Sequence, residues 1–385
     1  MDNIINQIKS LASGADEAQV KQIIVSLREV SDSLETPLDT IQRLVYLALP
    51  LTAIRIGTDL DLDLFQYLVN NKAPATVTEL ATKTGAAPVL LARILRYLAS
   101  TGIIKETGKD TFTSNNITEA ITFPGASGAF YNYFYTTYPV WQELPGWLKE
   151  HKYQDVEDNT NTPLQKAHKT DLPFFSWMLT QPETLAHFNQ YMSIRHTGKK
   201  QWHEVYPLED KIQGLAPEQV FFVDVGGGTG TQSRALGKKY HDLKARIIVE
   251  DTPDSVAQAV PLPRCREITA KYLGPQAIIG AKMYYLRNIL HDFPDEKCIT
   301  ILKNTAAALA PGSVILLDEI VIHDSGAHFH VTQQDIIVMA TFAAIERTEE
   351  QWYNLAKAAG LKVTNIYLYS TSERDSVIEI VEGVN

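Results

Sequence analysis

The sequence predicts an α/β protein, with an open, doubly wound, mainly parallel sheet in its C-terminal half and a helical N-terminal half. Three observations carry this. The β-favouring run Val220-Phe221-Phe222-Val223 passes through Asp224 into a glycine cluster and then into Thr231–Leu236, which can open a helix: a strand, a tight turn and a helix N-terminus. From Gln219 onward, short apolar runs alternate with segments of helical period. Up to Tyr206, by contrast, apolar residues recur mostly at helical spacing.

Taken in order, Ile4, Ile5, Ile8 and Leu11, then Val20, Ile23, Ile24, Leu27 and Val30, mark two amphipathic helices broken at Gly14. They have no evident core of their own, so a second subunit is the expected partner of their apolar stripes. Helical character continues over Pro37–Leu68. Thr78–Ala81 opens another helix, Thr84-Gly85-Ala86 turns the chain and Pro88–Ser100 forms the next, followed by a short hairpin of Gly102–Glu106 and Thr111–Thr113. Helix, turn, helix and hairpin make a winged helix, a unit that can read DNA with its second helix. That helix offers only Arg93 and Arg96 as cations and is otherwise apolar, which points to dimerisation or scaffolding instead.

Ile117–Tyr206 is again mostly helical and dense in aromatic residues, among them Phe130, Tyr131, Trp141, Phe174 and Trp177. Most belong to a core, but such a segment also suits the walls of a pocket for a flat or polyketide-like molecule. Strands are then expected at Val220–Val223, Ala245–Val249, Lys282–Leu286, Ser313–Ile320, Leu361–Tyr369 and Ser376–Val381, with helices at Asp295–Leu309 and Thr348–Ala359. The last two strands are joined only by Thr371–Asp375 and must pair antiparallel at one end of the sheet. The resulting divisions are a helical and winged-helix domain at 1–115, a helical substrate-lining segment at 116–206 and the sheet domain at 207–385.

A chain of 385 residues exceeds a comfortable single core, so more than one domain is the prior. A net charge of −10 argues against nucleic acid or an anionic membrane as partner. Two cysteines, Cys265 and Cys298, give neither a disulfide framework nor a metal spacing. His323, Asp324, His328 and His330 read as surface or lid residues, so no metal is expected. The start lacks the charged and apolar regions of a signal peptide, and Leu44–Ile56, the most apolar stretch, is broken by Pro50 and too short to span a bilayer. A soluble protein of the cytoplasm is the expectation.

The glycine cluster does not fit a dinucleotide fingerprint, because position 231 holds Thr231 where the third glycine belongs. Its glycines, Gly226, Gly228 and Gly230, alternate after Asp224. This pattern resembles motif I of class I S-adenosylmethionine (SAM) methyltransferases, in which the loop wraps the methionine moiety. Asp251 ends the next strand run, roughly 20 residues past the glycines, where a carboxylate suits a ribose diol. Beyond the Lys282–Leu286 strand lies Leu290-His291-Asp292-Phe293-Pro294-Asp295-Glu296. It puts a histidine at a strand's carboxyl end, where ligands bind in open α/β sheets. Such an imidazole can take a proton from a phenol or enol near neutral pH. Glu319, in the next strand run, and Glu346, before a helix, are acids able to orient the ring and stabilise its protonated form.

His291-Asp292 with Asp295-Glu296, Glu319 and Glu346-Arg347-Thr348 together resemble the catalytic signatures of plant and fungal O-methyltransferases of the caffeic-acid type, over nearly the whole chain. The resemblance implies a Rossmann-like class I methyltransferase sheet behind an N-terminal winged-helix dimerisation domain, and hence a homodimer. It implies that Asp224, Gly226, Gly228 and Asp251 hold SAM. His291 is then the general base flanked by Glu319 and Glu346, and Asn132, Phe174, Trp177, Met178, Asp292 and Met339 line the place of a small-molecule substrate. One position departs from the pattern. Aligned by Pro275-Gln276 and the strand that follows, the acid that in this family meets the adenine amino group falls on Lys271, whose ammonium has donors only. Two readings follow: the scaffold is a methyltransferase whose backbone holds the adenine, or it is a pericyclase of the kind found among fungal members, with SAM a spectator or lost and Lys271 polarising the substrate.

Overall fold

The computed structural model describes residues 2–58, 63–194, 200–241, 246–257, 265–269, 274–370 and 373–383. The chain forms two compact units, one of Met1–Glu143 with Phe175–Gly198 and one of Leu144–Phe174 with Lys199–Asn385.

The first unit opens with three helices, Asp2–Ser13, Glu17–Leu34 and Pro37–Val45. Asp16 caps the second by accepting from Gln19 N, and Thr36 caps the third by accepting from Asp39 N, so polar signals fix their starts. Neither the first nor the third buries a residue, and Ile4, Leu11, Val30, Leu34, Leu38 and Val45 all stand exposed. A core begins at Ala53 and Ile54 and runs through Leu64, Leu68, Leu80, Leu91, Leu95, Leu98 and Phe112. Within it, the Val77–Thr84 and Pro88–Ser100 helices are joined through Gly85, which is left-handed at φ 70, and three short strands pair as β1 (Ala75–Thr76), β3 (Thr111–Thr113) and β2 (Lys105–Gly108), the winged-helix arrangement. The second helix spends Leu91, Leu95 and Leu98 on this core while Arg93 and Arg96 stay exposed. Beyond it, the Pro124–Tyr131 helix lies against Pro182–Ile194: a Cβ added at Gly128 would stand 2.5 Å from His187 O, so the close approach requires glycine. The Asn132–Thr137 turn that follows is π-helical, an irregularity the sequence pattern does not announce.

The second unit is built on one sheet, in the order β10-β11-β8-β7-β4-β5-β6, with a short β9 paired to β8. Its strands are β4 (Val220–Val225), β5 (Arg246–Asp251), β6 (Cys265–Thr269), β7 (Met283–Arg287), β8 (Val314–Ile322), β9 (Arg347–Thr348), β10 (Leu361–Leu368) and β11 (Asp375–Glu382). The strands from β6 to β8 are parallel, and β11 runs antiparallel to both β8 and β10. The reversed strand therefore lies one place in from the edge. Phe221, Phe222, Tyr284 and Tyr285 are fully buried because helices cover both faces, as a parallel sheet requires. On one face Trp202 stacks on Tyr285, 4.6 Å between ring centres; on the other Ile301, Leu302, Trp352 and Leu355 pack against Leu286, Ile315 and Leu317. β6 was absent from the strands expected above, since Cys-Arg-Glu-Ile-Thr at a sheet edge carries no apolar run. Among the described residues no helix is long and apolar enough to cross a membrane.

Candidate active site

Asp224 lies one residue before the end of β4, which closes on the buried Val225, and the chain then turns through glycines into the Thr231–Lys239 helix. Gly226, Gly228 and Gly230 take φ of 71, 57 and 79, values that a side chain would strain. Gly226 N and Gly227 N both donate to Glu250 O, at 2.7 and 3.1 Å, which ties the loop to the end of β5. Asp251, one residue on, accepts from Gly228 N at 2.7 Å. A Cβ at Gly228 would meet nothing within 4 Å, so the loop's outer side is open to a ligand, with a helix N-terminus and a carboxylate beside it. The Asp224 carboxylate lies beneath the loop, buried and accepting from Ser233 Oγ at 2.8 Å. Burial raises its pKa to about 6, although Ser233 and Arg287 pull the other way. Asp224 thus braces the glycines from below, and Asp251 ties them to the end of β5 through Gly228 N. Lys271 lies outside the described residues.

The second constellation sits at the carboxyl ends of β7 and β8. Asn288 leaves β7 in the left-handed region at φ 51, and Leu290–Asp292 follows as a single 3₁₀ turn carrying His291. His291 is buried; its Nδ1 lies 2.9 Å from Glu346 Oε1 and its Nε2 3.5 Å from Asp292 Oδ1. Glu319 does not bond the ring. Its Oε1 accepts from the backbone N–H of Ile289 and of Leu290, at 3.0 and 2.8 Å, and so holds the turn. Burial alone would hold down the imidazole's proton affinity, but the carboxylates of Glu346, Asp292 and Glu319 overcome it and push the pKa up to about 10. Burial likewise raises Glu319 to about 7, with the facing imidazolium opposing and Glu346 adding to the rise. The surrounding carboxylates therefore favour the protonated ring. Among the described residues, Glu319 Oε2 and Glu346 Oε2 are buried acceptors without a hydrogen-bond partner.

The structure thus brings His291, Asp292, Glu319 and Glu346 together, and separately Asp224, Gly226, Gly228 and Asp251. Phe174 belongs to the second unit, edge-on to Phe342 at 4.8 Å, on the Phe329–Phe342 helix that also carries the half-buried Met339. Asn132, Trp177 and Met178 belong to the first unit and are buried there; Asn132 stands in the π-helical turn with its Oδ1 unbonded among the described residues. Two residues escaped the sequence reading: Asp335, whose Oδ1 accepts from Glu346 N at 2.9 Å, and Arg287, which ends β7 with its Nη1 buried and unbonded among the described residues; Arg347, quoted above only within the Glu346-Arg347-Thr348 signature, clasps the His291 turn. Of these only Arg287 had a legible signal, a cation at the carboxyl end of a central strand.

Comparison with known proteins gives this geometry a family. An O-methyltransferase domain matches residues 141–362, and an O-methyltransferase dimerisation domain matches residues 56–120. Demethylsterigmatocystin 6-O-methyltransferase of Aspergillus parasiticus is 35% identical over 381 residues, covering 99% of this chain and 98% of its own. Two solved structures, one described as a pericyclic reaction enzyme and one of LepI in complex with SAM, are each 34% identical and cover 99% of this chain and 98% of theirs, with TM-scores of 0.94 and 0.93. With a winged-helix unit followed by a mixed seven-strand sheet and a glycine loop after its first strand, the chain belongs to the O-methyltransferase family.

Proposed function

We propose that the protein methylates a hydroxyl of a phenolic or polyketide-type small molecule of secondary metabolism, with His291 as general base. The observation that carries this is the His291–Glu346 contact. With Nδ1 committed to a buried carboxylate, Nε2 is the ring atom left to take the acceptor's proton, and Glu346 stabilises the imidazolium that results. SAM, when bound, supplies a methyl group activated on a sulfonium. The open side of Gly228, the carboxylate of Asp251 and the N-terminus of the Thr231–Lys239 helix fit that cofactor, and Arg287 offers a buried cationic donor at the same strand ends. Holding the acceptor oxygen on Nε2 and excluding water from a buried ring account for most of the rate such a site can provide. Homodimerisation through the N-terminal domain and residence in the cytoplasm complete this reading; the exposed apolar helices support the first and the reduced, buried Cys298 suits the second.

A pericyclase is the second reading, favoured by one observation: a ring surrounded by three carboxylates rests as a cation, and an imidazolium can donate to a substrate carbonyl without ever losing its proton. The solved pericyclic reaction enzyme gives it a precedent of the same fold. Product mass separates the two. The protein is incubated with SAM and a panel of hydroxylated xanthones and anthraquinones. Methyl transfer yields S-adenosylhomocysteine together with a product in which a methyl replaces the hydroxyl proton, heavier by one CH2; products of unchanged mass with no S-adenosylhomocysteine refute it.

A further inference from the structure

The turn that carries His291 has little holding it from within. Between the end of β7 and the helix starting at Asp295, its own backbone bonds are Asp292 N to Ile289 O and Phe293 N to Leu290 O, both at 3.2 Å. Buried side chains add to these, among them Cys298, whose Sγ lies 3.1 Å from Leu290 O and 3.2 Å from Phe293 O, and two groups of opposite charge. Glu319 accepts from the N–H groups of Ile289 and Leu290. From the other side Arg347 Nη1 donates to Leu290 O at 3.1 Å and Nη2 to Phe293 O at 3.2 Å, so its guanidinium spans the backbone on both sides of His291-Asp292. The same group donates to Asp295 Oδ1 from Nη2 and Nε, at 2.7 and 3.1 Å, and lies 5.1 Å over the Trp352 ring. Its side chain is 1% exposed, whereas that of Asp295 is 67% exposed.

Arg347 is also the residue next to Glu346. One end of the His291–Glu346 bond is thus tied to Arg347 through the chain and the other through the turn it grips. We propose that Arg347 is a positioning residue for His291, fixing the backbone at Leu290 and Phe293 and thereby holding the ring against Glu346. The fork geometry is what the role demands: a guanidinium presents donors to two carbonyls and a carboxylate at once, while an ammonium on a flexible stem is a point charge. The charged groups around the ring are Glu346, Asp292 and Glu319, with Arg347 behind the turn, Asp295 beyond it and Asp335 behind Glu346.

This inference rests on His291 being the reacting group, but its test reads the ring itself and needs no substrate. Full-length protein labelled with ¹⁵N-histidine is titrated across the neutral and alkaline range, with His291 assigned by its loss in His291→Gln. In Arg347→Lys, which keeps the charge, the His291 midpoint falls by about one pH unit, a tenfold change in proton affinity, because the ring loses its hold on Glu346. Asp295→Asn, on an exposed side chain, moves it the same way by less. Binding of S-adenosylhomocysteine, followed by calorimetry, stays within about twofold in both. A His291 midpoint unmoved in both variants overturns the proposal, as does loss of S-adenosylhomocysteine binding in step with the shift, since Arg347 would then support the whole domain. Should Arg347→Lys not fold, Asp295→Asn decides alone. An error in the reaction assigned would appear separately, as wild-type protein that makes no methylated product while its titration follows the expected course.

Discussion

Under the proposed base assignment the proton of a substrate hydroxyl goes to Nε2 of His291, which accepts it only after the ring, its proton affinity raised by the surrounding carboxylates, has lost its own. For methyl transfer, kcat/KM therefore rises with pH through the alkaline range, following a group whose pKa stands near 10. Glu346→Gln removes the largest opposing charge, so the rise moves to lower pH while the plateau falls. A pericyclase that uses the imidazolium behaves in the opposite sense and loses activity as the ring deprotonates; a pH–rate profile on either reaction distinguishes them. His291→Ala lowers turnover by about 10²- to 10⁴-fold under the base assignment, and retention of full turnover refutes it. Stability follows the same group. Its affinity for the proton is higher in the fold than in the open chain, so its contribution is complete below the ordinary value of 6.5 and is lost as pH rises towards 10, which a melting series at stepped pH would show. His291 was legible as a histidine at a strand's carboxyl end. The true employment of Glu319 was not, because nothing in a sequence tells whether a carboxylate will accept from a ring or from two backbone amides.

At the level of elements, the glycine loop offers a sharper test than its left-handed positions. Gly227 has an ordinary φ, yet a Cβ there would lie 2.6 Å from Asp224 Cγ. Gly227→Ala is expected to displace the loop and weaken S-adenosylhomocysteine binding by tenfold or more, about 1.4 kcal/mol, and Asp224→Ala in the same chain should return part of the loss, so that the double variant is less impaired than the two singles predict. Equal, additive losses would mean that the two residues do not meet. The Glu349–Ala358 helix begins at Thr348, whose hydroxyl accepts from Gln351 N while Gln351 reaches back to Thr348 N. Thr348→Ala is expected to cost about 1 kcal/mol of stability, measured by denaturant unfolding, without moving the His291 titration. The order of the last two strands was not legible: β11 is buried along nearly its whole length as an inner strand is, yet its sequence carries Asp375, Ser376 and Glu379 and does not read as an apolar run. Nor was the π-helical turn at Asn132, since one extra residue per turn leaves the aromatic pattern almost unchanged.

Across the whole molecule, the period of the apolar residues changes near Gln219, while the matched dimerisation and O-methyltransferase domains follow one another at residues 56–120 and 141–362. How the parts share the chain did not follow from that change of period, because Leu144–Phe174 belongs with the sheet while Phe175–Gly198 belongs with the helices, an exchange that no local pattern records. The N-terminal helices carry the remaining whole-molecule prediction. Deleting residues 2–45 is expected to convert a homodimer into a monomer or an aggregate, read by light scattering, and a truncated protein that remains a stable dimer shifts the interface elsewhere. Leu34 is 80% exposed and Val45 70%, and the Pro37–Val45 helix between them has no buried residue. If their shelter comes from a second copy, part of what holds this protein together is subject to mass action. Its melting temperature then climbs with its own concentration, and a preparation diluted for assay is a less stable protein than the same preparation in the stock tube.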